Sequence, residues 1–350
     1  MLRQSPNDEE ILMKKMTELS HIAFEITDRC NLDCVYCYNV WKMDAAARVP
    51  FNSYKKAIEA LNEIFRQANV KSVAFTGGEP FLSERFLEVV LHCKINGKQV
   101  TLISNGTQGA EKQYRKLIKM GVGLFEFPIH SAQEAIHDKM TKVNGSWQKS
   151  LNSVKKVLAL GGQVVPVVVI TKFNVNVLGE TLDFINSLGC KRIMLNRYNI
   201  GGKGCAQPLE ISATPDELRA AFKIANEKSS ELGLRLSSNV CSPICLLDPK
   251  EYPTIGFGHC SFNALQRPVT LDINGNIRLC NHSPVVAGNI FKNDISEILS
   301  NEYAESWKGN VPKFCEKCEH WEKCKGGCRA ASEQVFGRLD VEDPILKIGN

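Results

Sequence analysis

Between residue 21 and about residue 200 the chain alternates β-rich runs with helical patterns, and this alternation narrows its fold more than any other feature. The β-rich runs are HIAFEIT (21–27), SVAFTGG (72–78), QVTLISNG (99–106), GLFEFPIH (123–130), QVVPVVVI (163–170) and RIMLNRYN (192–199). Helical patterns lie between them at roughly 52–68, 83–95, 110–120, 147–160 and 178–188. A strand–helix repeat of this regularity predicts βαβ units around a parallel sheet. Six strands fit an open doubly wound sheet or a partial barrel, and periodicity does not choose between them. In either, functional side chains collect at the carboxyl ends of the strands.

The pattern changes near residue 200. GGKG at 201–204 reads as a loop, and a helix follows over about 214–232, with Thr214 as N-cap and Pro215 in its first position. After that the alternation stops. Eight of the fourteen cysteines fall between 241 and 328, among loops, short helices and one hairpin, PVTLDINGNIRLC (268–280), turned by Asn274-Gly275. Bound clusters would supply the cross-links that a loop-rich segment lacks. The expected division is an N-terminal extension (1–20), an α/β unit (21–205), a connecting helix and strand (206–240) and a cysteine-rich unit (241–350).

Composition matters at three points. Hydrophobic residues make up 43% of the 350, enough for a sizeable core, and a net charge of +5 spread along the chain is ordinary. No basic stripe interleaved with aromatics speaks for nucleic acid. The start, MLRQSPNDEEILMKKM, lacks an apolar signal region, and the longest apolar run, VVPVVVI at 164–170, is a strand's length. A soluble, cytoplasmic protein is expected. In a reducing cytosol, clustered cysteines point to metal or redox chemistry rather than disulfides.

Cys30, Cys34 and Cys37 lie in CNLDCVYC directly after the first strand. Three thiolates on one tight loop suit three irons of a cubane cluster and leave the fourth iron open, as catalysis requires. A zinc site with a distant fourth ligand is the alternative. Placement favours catalysis. Gly77-Gly78-Glu79-Pro80 ends the second strand, Ser104-Asn105-Gly106 the third and His130-Ser131 the fourth. Asn174 follows the fifth, and Asn196 and Arg197 lie late in the sixth.

CNLDCVYC followed by TGGEP resembles the radical S-adenosylmethionine enzymes. The resemblance implies a partial (β/α)6 TIM-like barrel and a [4Fe–4S] cluster on Cys30, Cys34 and Cys37, its open iron chelated by the amino and carboxylate groups of S-adenosylmethionine. It places Gly77, Gly78, Glu79 and Pro80 at the methionyl amino group and Tyr36 against adenine, with Ser104, Asn105 and Ser131 near the ribose. FPIHS departs from the Ser-x-Asp pattern common at the end of the fourth strand. The implied chemistry is one-electron cleavage of the sulfonium to a 5′-deoxyadenosyl radical that abstracts a substrate hydrogen.

The C-terminal cysteines resemble the SPASM extension, which implies a loop-rich domain with one or two auxiliary [4Fe–4S] clusters. Carried over, Cys260, Cys280 and Cys328 hold one, with Cys245 as fourth ligand and Cys241 as its alternative. Cys315, Cys318 and Cys324 hold the other. The cysteine that usually follows is missing: Asp343-Pro344-Ile345 leads into Leu346, and no cysteine follows Cys328. Asp340, Asp343, Cys241 or an open iron is left for that place. Cys93 and Cys190 read as buried free thiols. His137, in AIHDKM, reads as helix surface.

SPASM-type relatives mostly modify peptides, which implies an oxidative modification of a ribosomally made peptide, a cross-link or related maturation. The alternatives are a small-molecule radical enzyme (a tetrapyrrole decarboxylase, or an aminocyclitol or sugar dehydrogenase or epimerase) and a non-catalytic iron–sulfur or zinc protein. Cys205, Cys241 and His130 are the candidates for a catalytic side chain. The expected partners are a precursor peptide or small substrate and an external reductant of flavodoxin or ferredoxin type. Only some 20 residues precede the first strand, shorter than the leader-recognition domain of many peptide-modifying relatives. Either a separate recognition protein or a small substrate is therefore expected.

Overall fold

The computed structural model describes residues 16–42, 52–261 and 268–349. Most of the expected N-terminal extension, residues 1–15, lies outside them. The six predicted strands are present as β1 (Thr17–Thr27), β2 (Ala68–Gly77), β3 (Gln99–Ile103), β4 (Leu124–Pro128), β5 (Val164–Ile170) and β6 (Arg192–Arg197), neighbours in that order and all parallel. β1 starts four residues before its predicted position, and Leu19 in that added stretch is fully buried.

Helices join the strands: α1 (Tyr54–Gln67), α2 (Phe86–Ile95), α3 (Glu111–Lys119), α4 (Glu134–Thr141), α5 (Ser146–Ala159) and α6 (Leu178–Ser187). In α1 the buried residues Ala57, Ala60, Leu61 and Ile64 recur at helical spacing, and Ser53 caps the start by accepting from Lys56 N. Strand β1 is buried without a break from Ile22 to Thr27, as expected of a parallel strand covered on both faces. The helix Pro215–Leu232 packs on α6 and opens with the predicted Thr214 cap, which Glu217 completes as a capping box.

The sheet runs on past six strands in both directions. Beyond β6 come β7 (Arg235–Ser238) and β8 (Ile255–Phe257), both parallel. On the other side the predicted hairpin, β9 (Val269–Asp272) and β10 (Asn276–Arg278), lays β9 parallel against β1, and β11 (Gly288–Asn289) finishes that edge. One sheet of eleven strands results, and its end strands β8 and β11 are not paired with each other. The barrel is therefore partial and open. The cysteine-rich segment supplies β8 to one edge of it and β9 to β11 to the other. β7 falls where the connecting strand was expected, whereas β8 and β11 escaped sequence reading because they are only three and two residues long, too short for a period to show.

Candidate active site and auxiliary cysteine sets

After Thr27 the chain turns through Asp28 and Arg29 into the loop of Cys30, Cys34 and Cys37. The glycines after β2 hold that loop from one side. Gly78 N donates to Thr27 O at 2.7 Å and Glu79 N to Arg29 O at 2.7 Å. A Cβ on Gly78 would stand 2.0 Å from the Arg29 carbonyl oxygen, so only glycine permits the approach. Asn39 reaches across with Nδ2 to Gly77 O at 2.9 Å. From the other side, Val35 N donates to Met140 O at 2.9 Å and Asp33 N to Thr141 O at 3.3 Å, at the end of α4. Gly202 seals the far end: its Cβ position is 2.2 Å from the Cys37 carbonyl oxygen. Sequence reading saw only a loop there, though paired glycines after a strand do signal close approach.

The three thiols fit a cluster by their chemistry. Burial pushes the Cys34 thiol up to about 12, and the charges of Cys37 and Cys30 add to the effect. Burial raises Cys37 too, while Lys42 draws it back. Iron takes cysteine as the thiolate, so loading a cluster here would release protons. Among the described residues no three His, Cys, Asp or Glu side chains converge on one metal position. A cubane binds its thiolates at separate irons, so convergence on one point is not required of them.

Glu79 is fully buried and accepts from Asn105 N (2.8 Å), Ser104 Oγ (2.8 Å) and Phe81 N (3.2 Å). Burial nevertheless raises its carboxyl to about 7. Its structural work is to tie the end of β3 to the end of β2, with Pro80 buried beside it as the first residue of a single helical turn. Asn105 faces the cluster loop: Nδ2 donates to Asn31 Oδ1 at 3.0 Å and lies 4.0 Å from Cys30 Sγ. The Ser131 hydroxyl, fully buried, accepts from Gln133 N at 3.0 Å just ahead of α4.

Tyr36 meets His130 edge to face, 4.5 Å between ring centres. His130 Nδ1 accepts from Val169 N at 3.2 Å, so the ring proton is assigned to Nε2, which is buried without a protein partner. Burial holds His130 well below its ordinary value, with His137 adding to the effect. The surface assignment of His137 fails. Its ring is fully buried, stacks 5.1 Å from His130 and accepts from His130 N. One turn of a helix lying against the sheet is buried, and a six-residue window gave no period to say which. Asn174 braces the same corner by donating to His130 O at 2.8 Å.

The eight C-terminal cysteines fall into two groups. Cys260 and Cys328 share a small buried cluster with Trp307, Ala330, Ala331 and Leu339, and Cys241 and Cys280 pack against it. Cys315, Cys318 and Cys324 form the other: burial raises the Cys315 thiol to about 11, Cys318 N donates to Cys315 O at 3.1 Å, and the amide of Ile244, next to Cys245, donates to Cys324 Sγ at 3.3 Å. The structure thus brings Cys245 to the group opposite the one that the sequence assigned it. Asn196 and Arg197, at the end of β6, hold the Cys241 segment. Asn196 Oδ1 accepts from Asn239 N at 2.8 Å, and Arg197 Nη2 donates to Cys241 O at 2.7 Å. Cys205 is half-buried against the main core; Cys93 and Cys190 are buried in it.

One junction was invisible in the sequence. Tyr38, next to Cys37, stacks on His282, 3.8 Å between ring centres. Asn281 Nδ2 donates to Tyr38 Oη at 2.9 Å. Gln334 donates to both Tyr38 O (3.3 Å) and His282 O (2.5 Å), while its Oε1 accepts from Gly202 N at 2.6 Å. These contacts join the first cysteine loop to the loop of Cys280. No motif marks Gln334, and residues so far apart in sequence give no local signal.

Comparison with known proteins agrees with this architecture. The Radical SAM superfamily profile matches residues 24–185, and the iron-sulfur cluster-binding domain SPASM matches residues 260–325. PqqA peptide cyclase of Methylobacterium sp. (strain 4-46) is 21% identical over 332 residues, 93% of this chain and 85% of that protein. The enzyme of the same name from Xanthomonas oryzae pv. oryzae (strain MAFF 311018) is 23% identical over 333 residues, covering 93% and 87%. Among solved structures, anSMEcpe with bound AdoMet aligns with a TM-score of 0.72 at 16% identity over 93% of each chain. Streptococcus suis SuiB bound to precursor peptide SuiA aligns at 0.73 and 16%, over 95% of this chain and 76% of that one. At these identities the structural likenesses speak for the fold. The chain thus carries a Radical SAM superfamily domain followed by a C-terminal SPASM iron–sulfur cluster-binding domain.

Proposed function

We propose that this enzyme makes an oxidative modification, a cross-link or related maturation, in a ribosomally made peptide. The observation that carries the oxidative part is the junction of Tyr38 with Asn281 and His282, which sets the loop of Cys280 against the loop of Cys37. An auxiliary cluster bound there would lie close to where the substrate radical forms. The peptide part is supported by the peptide cyclases that match nearly the full length, and by SuiB, whose structure holds a precursor peptide.

In this reading Cys30, Cys34 and Cys37 hold the first [4Fe–4S] cluster. Gly77 to Pro80, Tyr36, Ser104, Asn105 and Ser131 surround S-adenosylmethionine. Cluster and cofactor together supply sulfonium cleavage and hydrogen abstraction. The protein orients and excludes water. Glu79 fixes the Ser104–Asn105 turn, and neutral His130 offers its Nε2 proton beside Tyr36 as a hydrogen-bond donor. Cys205 stays a candidate catalytic side chain, since Cys241 is packed with the auxiliary thiols, but hydrogen donation by a thiol belongs to an epimerase and the oxidative reading needs none. An external flavodoxin- or ferredoxin-type reductant, a separate peptide-recognition protein and a cytoplasmic location belong to the same proposal. Among the described residues no helix is long and apolar enough to cross a membrane.

The test is anaerobic turnover of a short co-expressed precursor peptide with reductant and S-adenosylmethionine. The expected result is 5′-deoxyadenosine together with a peptide lighter by a pair of hydrogens, both abolished when Cys30, Cys34 and Cys37 are replaced by Ala. If no peptide binds and a tetrapyrrole or aminocyclitol is consumed instead, the peptide reading is wrong.

A further inference from the structure

A cubane with no open iron, held by cysteine alone, takes four thiolates. By sequence the second auxiliary set has three, Cys315, Cys318 and Cys324, with no cysteine beyond Cys328. The structure shows what stands near the gap. The amide of Ile244, the residue before Cys245, donates to Cys324 Sγ at 3.3 Å. Pro243 anchors this turn: its ring lies 2.7 Å from the Cβ position of Gly327, inside the run that carries Cys324 and Cys328.

The carboxylates that the sequence offered are engaged elsewhere. Asp343 is fully buried; Oδ2 accepts from Arg197 Nη2 and, at 2.7 Å, from Cys328 N, and Oδ1 accepts from Ile345 N at 3.1 Å. Asp340 accepts from Arg338 at 2.8 and 2.5 Å. Leu346, where a cysteine would have followed, packs on the main core. Cys241 belongs with Cys260, Cys280 and Cys328, as its packing shows.

We propose that the eight cysteines divide four and four: Cys241, Cys260, Cys280 and Cys328 hold one auxiliary [4Fe–4S] cluster, and Cys245, Cys315, Cys318 and Cys324 hold the other. Cys245 thus supplies from upstream the ligand absent downstream. Only three residues separate the two upstream ligands, so one short turn after β7 closes both clusters. The inference rests on the iron–sulfur reading of the C-terminal domain, and not on the substrate.

The experiment is iron content and Mössbauer spectroscopy of the anaerobically reconstituted full-length protein and its Cys→Ala variants. Wild type should carry about 12 iron per chain. Cys245→Ala should lose up to about 4 iron, adding to the loss of Cys260→Ala but not to that of Cys315→Ala. Cys241→Ala should behave in the mirror sense. A wild-type content of about 8 iron, an unchanged Cys245→Ala spectrum, or a Cys245→Ala loss additive with Cys315→Ala would overturn the assignment. Cleavage of S-adenosylmethionine on the same samples keeps the two readings apart. Intact cleavage with the wrong iron pattern sinks only this division, and the right iron pattern without cleavage sinks only the radical reading.

Discussion

At the residue scale the site depends on buried polar groups whose charge is set by their surroundings. Glu79 is the clearest case. Its carboxyl receives three donors, yet burial raises it to about 7 from 4.5. The folded chain therefore takes up this proton at a higher pH than the unfolded chain does. Across that interval the folded state binds more protons, so Glu79's contribution to stability grows as pH falls from 8 to 6 and is lost as pH rises through 7. The stability of wild type relative to Glu79→Gln should improve by about 1 kcal/mol over that range. Denaturant titration of both proteins at the two pH values measures it, and a difference independent of pH would contradict the raised carboxyl. In the sequence Glu79 was legible as part of a motif. Its role as the tie between two strand ends was not, because its partners Ser104 and Asn105 lie 25 and 26 residues away.

At the scale of elements, the cysteine loop is held by main-chain approach more than by side chains. Gly78→Ala would place a methyl group 2.0 Å from Arg29 O, and Gly202→Ala one 2.2 Å from Cys37 O. Neither backbone carbonyl can move without shifting the cysteines. Both variants should lose the first cluster, about 4 iron per chain, and with it cleavage of S-adenosylmethionine, while the C-terminal clusters stay. Gly145→Ala is the control: like Gly202 it has positive φ (+76°), but nothing lies within 4 Å of the added Cβ. It should cost about 1 kcal/mol of strain and no iron. Retention of all iron in Gly78→Ala would show that the loop is not fixed in this way. The elements themselves were largely readable. Helical spacing in α1, the Thr214 cap and the Asn274-Gly275 turn each follow from local chemistry. What escaped was short or long-range: β8, β11 and the parallel pairing of β9 with β1, which connects residues some 247 apart (Ile22 with Val269) and leaves no periodic trace.

At the scale of the whole molecule, two buried ion pairs tie the C-terminal region to opposite parts of the barrel. Glu25 on β1 pairs with Arg278 on β10, two residues before Cys280. Arg197 on β6 pairs with Asp343, which also accepts from Cys328 N. Both members of the second pair are wholly buried, so neither charge has water to fall back on. Such a pair adds little net stability over an apolar replacement, but removing one member strands the other. Arg197 also donates to Cys241 O and Ser242 Oγ, so its guanidinium fixes the turn that carries both upstream cysteines. Arg197→Met should therefore cost about 3–5 kcal/mol, and the damage should be directional. Auxiliary iron falls, whereas the cluster on Cys30, Cys34 and Cys37 still cleaves S-adenosylmethionine without substrate. Arg197→Lys keeps a charge but cannot span Asp343, Cys241 and Ser242 together, so it should recover part of the stability and little of the auxiliary iron. Equal loss of iron from all three sites in Arg197→Met would mean that the barrel and the C-terminal region unfold as one unit. Loss confined to the auxiliary sites would identify Arg197 as the residue through which the barrel positions them.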